Sequence, residues 1–411
     1  MTPESGHMTQ PTIRLEAEYL TDQMLEQQIA LNDKITEMKT GVFASLREAS
    51  GLTTPDEIDR TKLTNTRVKS ITTAIEVDAL KSVLVPSPRS VSTVLDGRES
   101  ATKILSGEDD RLLVIAGPCS IHDPDQGMIY AKRLAEMRDH YGNHLEIVMR
   151  TYLEKPRSEL GWKGLINDPN INGTTAISLG LTMSRLFLCQ VTDIGVPTAL
   201  ERLDSLTTQY FDDLAVVDAI GARDSLSNRG RVYLSVTSAV GLVKNPLDGD
   251  LEKVAEAVRT AHTGHTYIGD DEQGLLAAIE SEGNPTVTPI LRGGAKGPNF
   301  NRASVQEMKS ILSIKSLPES IGIDASHGNS GKVAAKQVEV VRDVSSQIAL
   351  GETAIKLVMI ESNLVAGQQA PGPIDTLEFG VSITDECVGL GITEQMMDTL
   401  SQAVQARRVS N

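Results

Sequence analysis

Nine short apolar runs, separated by segments of helical periodicity, limit what this chain can fold into. They read LLVIAG, LEIVMR, VPTALE, AIGAR, AVGLVK, HTYIG, VTPILRGG, SIGIDASH and IKLVMIES. Continuous rather than alternating apolar character suits strands buried on both faces, and the spacing suits βα units of a parallel sheet. A closed (β/α)8 TIM barrel needs eight strands, which leaves one run over. The short HTYIG reads as the spare, part of an inserted β-hairpin. An open doubly wound sheet is the structural alternative, but the turn after the first run, GPCS, lacks the G-x-G-x-x-G of a dinucleotide fold. Ahead of the first run, residues 12–48 carry apolar positions at helical spacing without an internal proline, which predicts one or two amphipathic helices. GLTTPDEIDRT reads as a linker, and SVSTVLDGRESATKILSGEDDR as a helix leading into the first strand. The expected organisation is an N-terminal helical extension with linker over residues 1–60 and the barrel over residues 61–411.

Composition narrows the partners. A chain with 40% hydrophobic and 23% charged residues is that of a soluble globular protein. No apolar run approaches the roughly 20 residues of a membrane span. The start, MTPESGHMTQ, lacks the charged-then-apolar pattern of a secretory signal, so a cytoplasmic protein is expected. Cys119, Cys189 and Cys387 are odd in number and far apart, which argues for reduced thiols rather than a disulfide framework. A net charge of −16 disfavours nucleic acid and anionic membranes. An anionic small substrate would therefore need a local basic pocket.

What closes each run supplies one. Cys119 follows the first, Arg150 ends the second, Glu201 the third and Arg223 the fourth. Lys244, Arg292, His327 and Glu361 stand at the ends of later runs. In a barrel these points share the rim where the strands' C-terminal ends converge. Cys119, His327 and Glu361, with a carboxylate such as Asp385 of GVSITDEC, offer mixed sulfur, nitrogen and oxygen ligands for one divalent transition metal. Arg150, Lys155, Arg157, Arg223, Lys244 and Arg292 offer a concentrated positive field for phosphates and carboxylates.

Each residue also has a plainer reading. A cysteine at a strand end is usually a small buried hydrophobe. His327 alone reads as a hydrogen-bonded loop histidine, Glu361 or Asp385 as a helix cap, and a single strand-end cation as solvated or paired. Six cations on one rim are harder to explain this way, because like charges in a partly desolvated pocket repel unless an anion compensates them. His122 lies three residues after Cys119, but a C-x-x-H step does not define a metal site, and it reads as a structural loop histidine. Cys119 as a nucleophile lacks a paired base. LRGGAKGPN lacks the Walker lysine, and its glycines suit a tight turn. Trp162 reads as a core or loop anchor.

The motifs RLLVIAGPCSIHDP, LEIVMRTYLEKPRSELGWKGLINDPNING, IGAR, ILRGG, IDASHGNSGK, VMIESNLVAGQQ and GVSITDEC, in order over roughly residues 64–409, closely resemble those of the type I 3-deoxy-D-arabino-heptulosonate 7-phosphate (DAHP) synthase family. The resemblance implies a metal-dependent barrel that condenses phosphoenolpyruvate with erythrose 4-phosphate and releases phosphate, at the entrance to the shikimate pathway. It places the metal on Cys119, His327, Glu361 and Asp385, with manganese, iron, cobalt or zinc all acceptable and manganese plausible. It puts Arg150 and Lys155 near the phosphoenolpyruvate carboxylate, and Arg223, Lys244 and Arg292 near its phosphate. Arg157 and Ser158, in KPRS, match the positions that hold the aldose phosphate. Glu201 is expected to steady the reacting centre or orient water. Lys155 is expected to transfer a proton, with a pKa lowered by its cationic neighbours. A homodimer or homotetramer is implied. The chain departs from the family's pattern between Asp224 and Gly249 and ahead of ILRGG, where the family builds subunit contacts and an inhibitor pocket. Two alternatives stay open: a paralogue using another aldose phosphate, and a non-catalytic regulatory barrel subunit.

Overall fold

The computed structural model describes residues 13–30, 34, 64–156, 161–203, 206–225, 230, 233–273 and 275–410. The linker expected at GLTTPDEIDRT, and Arg157 and Ser158, lie outside the described residues.

Eight of the apolar runs are the staves of a closed parallel barrel. In chain order these are β1 (Leu112–Gly117), β2 (Leu145–Arg150), β3 (Thr198–Arg202), β4 (Val217–Ile220) and β5 (Val240–Lys244), then, after a hairpin, β8 (Thr288–Leu291), β9 (Ile321–Asp324) and β10 (Ile355–Asn363). Each pairs in parallel with its neighbour, and β1 also pairs with β10, Leu113 opposite Leu357 through Gly117 opposite Glu361, which closes the ring. The ninth run is β6 (Thr266–Asp270). With β7 (Leu276–Glu280) it forms an antiparallel hairpin outside the barrel. A two-residue strand, β11 (Val388–Gly389), extends the sheet beyond β10.

The two faces of the strands serve different cores. Leu113, Ile115, Val148, Ala199, Val217, Ala219, Leu242, Ile290, Leu357 and Met359 fill the interior as one fully buried cluster. Val94, Ala101, Ile104 and Leu105 of the helix Pro88–Ser106 belong to that same cluster. That helix therefore plugs the mouth of the barrel opposite the rim. The helix starts cleanly, with Ser87 accepting from the Ser90 amide and proline at its first position, and ends at left-handed Gly107. Residues on the outer strand faces meet the surrounding helices in a second, larger cluster.

A helix over 13–30 lies within the expected N-terminal extension. Its buried Ile13, Ala17 and Met24 join the outer core, and Thr21 donates to Thr182 at 2.8 Å on the helix Ile177–Asp193. Among the described residues no helix is long and apolar enough to cross a membrane.

Candidate active site

The rim collects what the runs end in, because parallel strands in register deliver their last residues to one end. Gly117 stands opposite Glu361 in the β1–β10 pairing, so the Pro118–Ser120 turn leaves the sheet beside that glutamate. Only glycine fits there: a Cβ on Gly117 would come within 2.6 Å of the Arg150 carbonyl oxygen. A second close approach joins two rim loops. Gly293, at φ +72°, would place a Cβ 2.4 Å from the Gly328 carbonyl carbon, so the turn after β8 and the turn carrying His327 touch backbone to backbone.

Cys119, Glu361 and Asp385 converge, with one ligand atom from each lying within 4.8 Å of the others. The Cys119 Sγ accepts from the Asp385 amide at 3.3 Å. His327 stands just outside this trio, its Nε2 3.6 Å from Glu361 Oε1. Burial, reinforced by the neighbouring Glu361 charge, pushes the Cys119 thiol up. Burial also acts to raise the Glu361 and Asp385 carboxyls, but the positive groups around them prevail, with His327 and Arg150 leading at Glu361 and Lys155 and Lys332 at Asp385. Both end below the usual carboxylate range. The two ionised carboxylates offer anionic oxygens to a divalent cation, and the thiol, which leans on Asp385, becomes a thiolate ligand when such a cation takes the place of its proton. The donor set, soft sulfur with nitrogen and oxygen, fits a transition metal.

Beside the trio opens a cavity of about 400 Å³ lined by Lys155, Glu201, Arg223, Lys244, Arg292, His327, Lys332, Thr384 and Asp385 among others. Arg292 is only 7% exposed, yet its guanidinium makes no hydrogen bond or ion pair with the described residues. Arg223 donates to the Pro156 carbonyl at 3.1 Å. Lys244 is engaged by Glu201 Oε1 at 3.2 Å and Asp324 Oδ2 at 3.8 Å. Arg292 apart, the cations are thus not an uncompensated group awaiting an anion; Glu201, Asp324, Glu361 and Asp385 are interleaved with them. Burial would raise Glu201, but Lys244, Lys155 and Arg150 pull it down to about 2.

One sequence expectation changes here. Lys155 was expected to have a lowered pKa. Burial does push it down, but Cys119, Glu361 and Glu201 outweigh burial and Arg150, and its pKa is raised. Counting only cationic neighbours missed the acids brought in from distant strands. Arg150, placed near a substrate carboxylate by the resemblance, is fully buried behind the cavity wall. It donates to the Pro118 and Cys119 carbonyls at 3.1 Å each and to Glu361 Oε1 at 2.8 Å, and stacks 3.6 Å over the Tyr152 ring. These contacts hold the Cys119 turn and Glu361 in place. His122 is buried, outside the residues lining the cavity, and burial drops its pKa to about 4.

Some site residues were not read from the sequence. Asp324 ends β9 and obeys the same rule as the rest, a charged residue closing an apolar run, but was passed over for His327 three residues later. Tyr152 and Lys332 leave no comparable sign in one sequence. Tyr152 looks like core, and Lys332 sits in a polar turn in left-handed conformation, φ +64°.

Comparison with known proteins bears on the whole chain. A family model described as the DAHP synthetase I family matches residues 85–398. This chain belongs to that family. A tyrosine-inhibited phospho-2-dehydro-3-deoxyheptonate aldolase of Schizosaccharomyces pombe is 41% identical over 354 residues, 85% of this chain and 95% of the relative. A Trp-sensitive phospho-2-dehydro-3-deoxyheptonate aldolase of Escherichia coli is 42% identical over 347 residues, 84% of this chain and 98% of the relative. The solved structure of a phospho-2-dehydro-3-deoxyheptonate aldolase from Francisella tularensis superposes with a TM-score of 0.81 at 39% identity, covering 83% of this chain and 99% of that one. As a DAHP synthetase I family member, the chain keeps a cysteine, two carboxylates and a basic cavity together at the rim of a (β/α)8 barrel.

Proposed function

We propose that this chain is a 3-deoxy-7-phosphoheptulonate synthase, joining phosphoenolpyruvate to erythrose 4-phosphate with release of phosphate, the first step of the shikimate pathway. The observation that carries the reading to these residues is the nearly buried Arg292 guanidinium, without a partner among the described residues, facing a cavity that also holds Lys155, Arg223 and Lys244. A desolvated cation left without a partner is costly, and a bound phosphate relieves that cost. A barrel retained only for docking or regulation has no physical reason to keep it.

Arg223, Lys244 and Arg292 hold the phosphoenolpyruvate phosphate, and Arg150 and Lys155 lie near its carboxylate. Arg157 and Ser158 take the aldose phosphate by the family's pattern. Holding two multiply charged anions side by side against their repulsion is most of the work of bringing C3 of the enol to the aldehyde carbon. A divalent metal bound by Cys119, His327, Glu361 and Asp385 supplies Lewis-acid polarisation of the aldehyde or an activated water. Lys155, with its raised pKa, stays an ammonium and donates the proton that the aldehyde oxygen takes as it becomes a hydroxyl. Glu201, ionised at any pH above about 2, steadies positive character at C2 and orients the water that adds there before phosphate departs. Manganese, iron, cobalt and zinc all suit the donor set, and manganese is the first to test. The family resemblance carries a homodimer or homotetramer, and the thiol content a reducing cytoplasm.

The test is turnover by purified, metal-reconstituted protein given phosphoenolpyruvate and a panel of aldose phosphates, followed by phosphate release and product mass. Product with erythrose 4-phosphate is expected. Turnover only with another aldose phosphate selects the paralogue reading, and no turnover with any metal selects the regulatory one.

A further inference from the structure

Asp324 is assigned no role by the reading above, yet it is fully buried and shares one oxygen between the two halves of the site. Its Oδ2 lies 2.8 Å from His327 Nδ1 and 3.8 Å from Lys244 Nζ, charge contacts without hydrogen-bond geometry, so it faces both as a buried negative charge. Its Oδ1 accepts from the Ser326 amide at 2.9 Å and the Ser326 hydroxyl at 2.7 Å. The hydroxyl has one proton, and the charged carboxylate is the stronger of its two possible acceptors, which draws the proton to Asp324. Ser326 Oγ is also 2.7 Å from His327 Nδ1, so towards the imidazole it can only accept. Both neighbours of Nδ1 are therefore acceptors. That arrangement puts the ring proton on Nδ1 and leaves the Nε2 lone pair free on the side facing Glu361. His327 cannot readily turn away, because its backbone is in the left-handed region at φ +53° and its turn abuts Gly293.

We infer that Asp324 is a positioning residue for the metal centre: with Ser326 it fixes His327 as the Nδ1-protonated tautomer, so that Nε2 is presented as the ligand atom, and it ties that ligand to the phosphate-directed Lys244. The inference rests on the reading of His327 as a metal ligand. A carboxylate behind a metal-binding histidine typically contributes 10–100-fold in metal affinity.

The experiment has two arms. In the first, metal affinity is measured by chelator competition with manganese and zinc for the full chain and for Asp324→Asn, with the metal-free fold of each checked by circular dichroism. An asparagine amide donates to Nδ1 and shifts the ring proton onto Nε2, so a loss of about 10–100-fold is expected. In the second arm, metal-free, histidine-labelled wild-type protein is examined at mildly alkaline pH by ¹H–¹⁵N correlation spectroscopy, the His327 signal being identified by its loss in His327→Gln. The Nδ1-protonated pattern is expected. Wild-type affinity in a folded Asp324→Asn, or the Nε2-protonated pattern, overturns the inference. If Asp324→Asn does not fold, the tautomer of the wild-type protein decides. Failure of the underlying reading looks different: His327→Gln would then bind metal as tightly as wild type.

Discussion

Arg292 and Glu201 carry opposite charges in one cavity and can be tested separately. Removing the Arg292 guanidinium deletes a charge-assisted contact worth about 1.5–3 kcal/mol. Arg292→Ala is therefore expected to raise the KM for phosphoenolpyruvate by one to two orders of magnitude while the fold persists, and steady-state kinetics check it. Glu201 is held at about 2 against a reference of 4.5. A depressed carboxyl contributes stability that is present above its unfolded pKa and is lost as pH falls through the folded one. Unfolding midpoints in urea are thus expected to drop between about pH 4.5 and 2 by an amount equivalent to a few kcal/mol. In Glu201→Gln this acid limb should be shallower. Cys119 and Glu361, which lie together with Asp385, were readable in the sequence because each closes or follows an apolar run, whereas Asp385 stood only in a polar-ended loop, GVSITDEC. The pKa of Lys155 was not, because its sign depends on acids that only the closed ring brings near.

Among the elements, the strands were the most legible part of the fold. Strands buried on both faces leave continuous apolar text, and eight of nine runs became staves for that reason; the ninth, exposed on only one face in its hairpin, was also one of the two shortest. The plug helix Pro88–Ser106 was readable as a helix but not as a plug. One sequence does not say which core a helix face enters. Ile104, fully buried in the interior cluster, makes that placement testable: Ile104→Ala is expected to cost about 2–5 kcal/mol in chemical denaturation, as for other core truncations. The contact between the two rim turns gives a second test. Gly293→Ala must adopt positive φ and clear the Gly328 backbone, a strain of at least about 1 kcal/mol. Because the displaced turn carries His327, metal affinity should fall along with stability, and chelator competition reads the first independently of the second.

At the scale of the whole molecule, the proposed metal ligands come from the two ends of the barrel sequence, Cys119 just after β1 and His327, Glu361 and Asp385 from β9 onwards. A ligand that binds the folded chain alone stabilises it in proportion to the logarithm of its concentration. Thermal midpoints should therefore rise with added manganese or zinc, return on chelation, and be unresponsive in Cys119→Ala. The N-terminal helix, read from the sequence only as an extension, joins the outer core through Ile13, Ala17 and Met24.

The register of β1 against β10 has a consequence for how the protein is born. The proposed ion cradle straddles the seam where the ring is sewn shut, so a nascent chain on the ribosome that has not yet emerged past its last stave holds Cys119 and His327 without Glu361 and Asp385. The four proposed ligands can meet only once that stave has docked, and the cradle then comes into existence in one stroke rather than by degrees.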